Sequence, residues 1–133
     1  MYYILRWIRM ELSMVGAHTV ERTEQHNNEI VNALLKEFGL NDKNIGFKYI
    51  CDVISLGVSA SDIDNFEWDI YDHIANKYGQ NYKAIEINIR RAIMLAWDKN
   101  SNRLSSLLSL DKNKRPSNKS FMSAVSELLK RNI

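Results

Sequence analysis

Apolar residues recur along most of this chain at spacings of three and four, the mark of helices with one buried face. Ile30, Val31, Leu34, Leu35 and Phe38 form the first clear stripe, over Asn28 to Phe38, and Gly39 stands where a C-terminal cap belongs. A second helix is expected from about Asn44 to Leu56, with Ile45, Tyr49, Ile50, Val53 and Ile54 on one face and Gly57 as its stop. A third begins near Ser61, passes Phe66 and Trp68, and ends at Tyr78; Ile70, Ile74 and Ala75 are its inward side. The longest runs from about Asn81 to Asp98, with Tyr82, Ile85, Ile89, Ala92, Ile93 and Ala96 gathered on one side. A short helix from about Asn102 to Leu108 follows, then a last one from Asn118 to Arg131. Pro116 blocks that helix from extending backwards, and Ser117 or Asn118 caps it. No stretch alternates apolar and polar residues long enough for a sheet, and there are only five glycines and one proline. The pattern predicts an all-α fold of about six helices. It loses definition before residue 28, so residues 1–27 are expected to be an arm of unassigned structure and 28–133 the folded domain.

Composition adds limits. At 133 residues, with 45% hydrophobic and 26% charged residues, the chain suits one globular domain. The single cysteine, Cys51, cannot form an internal disulfide and sits in an apolar run, as a buried structural thiol would. No apolar run reaches membrane-span length, which argues against a membrane role. The stretch Met1 to Met10 has charges within its apolar part and no small-residue cleavage site, which predicts a cytoplasmic protein.

Charge changes the picture more. The net charge of +2 conceals an asymmetry: residues 1–76 carry six Lys/Arg against twelve Asp/Glu, and residues 77–133 carry twelve against four. The second half alone has the balance of a protein that meets a polyanion. Leading into it, Tyr71 to Tyr78, then Gly79-Gln80, then Asn81 onward reads as helix, tight turn, helix. In that arrangement the first helix braces the second against a DNA duplex. On a helical wheel, the outer face of the second helix presents Lys83, Ile87, Arg90, Arg91 and Met94, with Ala84 and Glu86 on its flanks. Lys83, Ala84, Glu86, Ile87, Arg90 and Arg91 are the candidate base-facing residues. Ile87 can pack on a thymine methyl and Glu86 can accept from a cytosine amino group; Asn88, which could pair with adenine, lies toward the side of the wheel. Phosphates would be met by Lys77 and Asn81 beside the turn, and by Lys112, Lys114, Arg115 and Lys119 around the last turn and helix N-terminus.

Enzyme chemistry finds little support. His18, His26 and His73 have no metal-ligand spacing with one another or with Cys51, and there is no glycine-rich phosphate loop. No catalytic residue, metal or cofactor is assigned. The acidic run Asp62, Asp64, Glu67, Asp69 and Asp72 reads as solvated carboxylates. The tyrosines and tryptophans, Trp68 and Trp97 among them, read as core rather than as a stacking platform.

Three blocks resemble the C-terminal effector domain of the stage-zero sporulation master response regulators of spore-forming Firmicutes. They are Ile45 to Ile54, with its Gly46-Phe47-Lys48-Tyr49; Ile70 to Tyr78 with Arg90 to Trp97; and Arg115-Pro116-Ser117-Asn118-Lys119-Ser120-Phe121-Met122. Together they span about two thirds of the chain, in order, between Gly39 and Arg131. The resemblance implies a six-helix DNA-binding domain whose recognition helix starts at Asn81 and which acts on tandem sites as a homodimer; this sequence departs from the family in having no match to its receiver domain, so control by a phosphoacceptor within this chain is not expected. Where the family pattern is serine-arginine-valine-glutamate-arginine, this chain has Lys83-Ala84-Ile85-Glu86-Ile87. Glu86 is retained, but Ala84 and Ile87 replace two arginines, each capable of about 1–3 kcal/mol of base discrimination. Poor reading of the family's usual operator is therefore expected. A second reading is an interaction protein that binds or antagonises a full-length regulator of the same family through its helical surface.

Overall fold

A computed structural model describes residues 29–132, and every described element is helical. The expected arm over 1–27 and the start of the first helix at Asn28 lie outside the described residues. Helix α1 covers 29–37, α2 Ile45–Ser55, α3 Ala60–Tyr78, α4 Tyr82–Leu108 and α5 Asn118–Asn132. The two helices expected over Asn81 to Asp98 and Asn102 to Leu108 are the two arms of α4, joined at Asn100, whose φ of −139° and ψ of 37° break the helical path. A similar break at Phe66 divides α3.

Short polar side chains start these helices where the sequence placed breaks. Asn44 accepts from the Gly46 amide at 2.9 Å, and Asn81 accepts from the Ala84 amide at 2.9 Å. Ser59 and Asp62 form a reciprocal capping box at the head of α3. Ser117, not Asn118, caps α5, its Oγ accepting from the Ser120 amide at 3.2 Å. That leaves the Asn118 side chain free for another task.

The apolar stripes meet in one core. Leu35, Phe38, Ile50, Ile63, Ile70, Ile74, Ile85, Ile89, Ile93, Leu104, Phe121 and Met122 are fully buried. Helix α4 runs through the middle and packs on α2, α3 and α5. Its closest neighbour is α2, which lies on it through Gly46. A Cβ at that position would sit 2.1 Å from the Asn88 carbonyl oxygen, so only glycine permits the approach.

Two expectations about the core fail. Ile45 is 41% exposed rather than inward-facing. It is the first residue of α2, and the neighbouring Gly46 is the one that meets α4. Trp68 is 58% exposed. With Ile70, Tyr71, Ile74 and Ala75 buried, position 68 falls about 200° around the helix from Ile70, on the outer side. Trp97 is buried as expected, and Tyr82 is partly buried against the core.

Candidate nucleic-acid interface

The turn between α3 and α4 is closed by its own backbone. Gly79 adopts the left-handed conformation (φ 64°), and the amides of Gly79 and Gln80 both reach the Ala75 carbonyl. Asn81 then caps α4. Helix α3 is held in turn on α2. The Tyr78 hydroxyl donates to the Asp52 carboxylate, the Tyr78 and Tyr49 rings meet edge-on at 5.0 Å, and Lys77 pairs with Asp52 at 3.2 Å. Burial and the Asp52 carboxylate keep the Tyr78 phenol neutral, pushing its pKa up. Lys77 thus serves the brace, although its side chain remains more than half exposed.

On α4 the outer face is as the wheel drew it. Lys83, Arg90 and Arg91 are exposed, Ile87 is 38% exposed, and Ala84 and Met94 are half-buried. Lys83 and Arg91 have no ion-pair partner among the described residues. Arg90 is held by Glu86, one turn earlier, at 2.5 Å. The Glu86 carboxylate is therefore turned along the helix toward Arg90. The Asn88 amide donates to the Ala84 carbonyl at 2.7 Å, which engages it within its own helix.

The tertiary structure brings a second element beside this face. A cleft of about 340 Å³ lies between α4 and the turn before α5, lined by Glu86, Arg90 and Met94 on one side and Arg115, Pro116, Ser117 and Asn118 on the other. The Asn118 side chain, only 7% exposed, donates to the Glu86 carbonyl at 2.9 Å and so fastens the last helix to the second turn of α4. Beneath it the buried Tyr71 hydroxyl donates to Glu67 at 2.8 Å. Burial, then the Glu67 charge, drives the Tyr71 pKa up and keeps the phenol a donor. One polar network thereby ties α3, α4 and α5 together. Sequence reasoning named Asn118 only as a possible cap. Its signal was its place after Pro116-Ser117, but no single-sequence rule gives its partner.

Of the phosphate candidates, Arg115 shares the cleft with Arg90 and is paired with Asp98 at 3.1 Å. Lys119 projects from the first turn of α5, and Lys112 and Lys114 from the preceding turn; all three are exposed. Cys51 is buried, with its thiol donating to Asn32 at 3.1 Å. Burial, aided by the Asp52 charge, pushes its pKa up to about 12, so it is no nucleophile near neutral pH. No helix among the described residues is long and apolar enough to cross a membrane.

Residues 31–129 match the family described as sporulation initiation factor Spo0A C terminal. The chain belongs to that family. No curated protein matches it. The match spans all the elements just described, from α1 into α5, so the helix-turn-helix and the Pro116 turn are parts of one Spo0A C-terminal domain. The family is that of a DNA-binding sporulation regulator and not of an enzyme.

Proposed function

We propose that this Spo0A C-terminal domain is a sequence-specific DNA-binding regulator in the cytoplasm, with residues 28–133 as its folded unit and two copies acting together on a duplex. The observation that carries the reading is that Arg90 of α4 and Arg115 of the Pro116 turn line one cleft, with Lys83 and Arg91 exposed on the same helix and Lys119 exposed in the first turn of α5. A helix in the major groove flanked by cations and a helix N-terminus at the phosphates is one arrangement by which proteins bind duplex DNA. Lys83, Ala84, Ile87 and Arg91 face the base edges, and Lys112, Lys114, Arg115 and Lys119 lie on phosphates, joined by Lys77 and Asn81 at the turn. Glu86 and Arg90 enter the groove as a pair. Ala84 and Ile87 favour contact with a thymine methyl over guanine, so the preferred site differs from the family's usual operator.

Selection of bound sequences from a random duplex pool at two salt concentrations tests this reading, with wild type and Arg90→Glu/Arg91→Glu side by side. A motif recovered by wild type and lost in the variant supports it. Enrichment without a motif sinks sequence-specific reading. The exposed Ile87 and half-buried Met94 would then favour the second reading, in which this face captures a full-length regulator of the same family.

A further inference from the structure

A pocket of about 430 Å³ opens where α1, the end of α2, the head of α3 and the last turns of α5 meet. None of its lining residues belongs to α4 or to the Pro116 turn, so it is separate from the DNA-facing residues. Its walls are aliphatic: Ile30 and Val31 of α1, Ile54 and Val58 around the end of α2, and Leu129 of α5. The volume falls in the range of small-molecule sites, roughly 300–1,000 Å³.

The polar groups of the pocket come from the head of α3 and from α5. Ser126 lines it and is 9% exposed, and its buried hydroxyl has no hydrogen-bond partner among the described residues. A buried hydroxyl left unpaired costs stability and is uncommon in folded proteins. One turn earlier on α5, the Ser123 hydroxyl reaches the Ala60 carbonyl at 3.4 Å, which sets this part of α5 against the start of α3. Ala60 also lines the pocket and is the first residue of that 19-residue helix. The capping box engages the Ser59 and Asp62 amides, leaving those of Ala60 and Ser61 with no acceptor inside the helix, at its electropositive end. Lys130 and Glu127 stand at the mouth, both exposed and neither ion-paired with a described residue.

We propose that this pocket binds a single-chain aliphatic carboxylate. The hydrocarbon chain lies against Ile30, Val31, Ile54, Val58 and Leu129. The carboxylate takes the Ser126 hydroxyl as a donor, faces the α3 N-terminus and has Lys130 above it. An anion answers all three of these groups, and a cationic head answers none of them. Glu127 opposes the anion, so its charge limits affinity.

Isothermal titration calorimetry of the full chain in low salt tests this, with hexanoate, octanoate, decanoate and decylamine, each below its critical micelle concentration. Saturable one-to-one binding of the carboxylates is expected, tightening about fourfold for each added CH₂. Decylamine should bind at least about tenfold more weakly than decanoate. Lys130→Gln should weaken decanoate and Glu127→Gln should tighten it, each by up to about fivefold. Ser126→Ala is the decisive variant. It should bind decanoate about tenfold more weakly, yet its Tm without ligand should equal or exceed that of wild type, because an unpaired hydroxyl has been removed. A merely structural serine would lower Tm instead. No saturable binding of decanoate, affinity that ignores chain length, decylamine binding as tightly as decanoate, or unchanged affinity in Ser126→Ala would each overturn the proposal. No DNA-facing residue is altered, so the DNA reading stands or falls separately.

Discussion

Replacing Gly46 with alanine sets two effects of opposite sign against each other. Gly46 is the second residue of α2, and in an isolated helix interior alanine is favoured over glycine by up to about 1 kcal/mol. In the fold, the new methyl would meet the Asn88 carbonyl oxygen at 2.1 Å, the Asn88 carbonyl carbon at 2.8 Å and the Ala92 Cβ at 3.0 Å. Two of those three atoms are backbone, so no rotamer change relieves the clash. The α2–α4 crossing must open by about 1 Å, which weakens close packing along both helices. Overpacking of this kind costs about 1–3 kcal/mol, and a clash with backbone places it at the upper end. The net expectation is a loss of about 2–3 kcal/mol, or roughly 8–20 °C in Tm for a domain of this size. Urea unfolding followed by far-UV circular dichroism measures the stability, with an unchanged m-value as the sign that the same cooperative unit unfolds. Gly57→Ala is the control. There φ is +75° and the methyl would meet nothing within 4 Å, so it reports backbone strain alone, about 1–2 kcal/mol. Stability equal to or above wild type in Gly46→Ala would refute the argument, because helix propensity would then outweigh the crossing.

Other predictions follow from the same geometry. Asn118→Leu removes the bond to the Glu86 carbonyl and should cost about 1–2 kcal/mol of stability. It should weaken duplex binding further than that unfolding explains when measured well below the midpoint, and equal binding by the folded fraction would count against the tie. Lys112→Ala/Lys114→Ala should lower the salt slope of DNA binding by about 0.9 for each phosphate no longer neutralised, leaving the selected motif unchanged; fluorescence anisotropy across a salt series reads this. Cys51 should resist thiol reagents at pH 8 in the native state and react on unfolding. Its folded pKa is raised from 9.0 to about 12, so the folded state holds the proton more tightly than the unfolded chain. Its contribution is full below pH 9 and is lost as pH rises toward 12, at up to about 1.4 kcal/mol per pH unit. Wild type should therefore lose stability faster than Cys51→Ala over that window, and parallel curves would contradict the assignment.

The sequence alone determined the elements, because what defines them is local. A stripe such as Ile85, Ile89, Ala92, Ile93 and Ala96 needs only the pitch of one helix to be recognised, and all five are buried. The stops at Gly39, Gly57 and Gly79 needed only the conformational freedom of glycine, and all three take positive φ. The helix-turn-helix and the family resemblance were legible for the same reason, as they rest on residues near one another in the chain. Tertiary structure decided what depends on which elements meet. Trp68 looked like core until the buried face of α3 was fixed, and Ile45 until Gly46 proved to be the residue in contact with α4. Asn118 and Glu86 are 32 residues apart, and nothing in the spacing indicates that one holds the carbonyl of the other. Arg90 and Arg115 likewise share a cleft only because packing sets the Pro116 turn beside α4. Pairings of that kind are set by the shapes of buried faces fitting together, a property of the assembled helices and not of any one stretch of sequence.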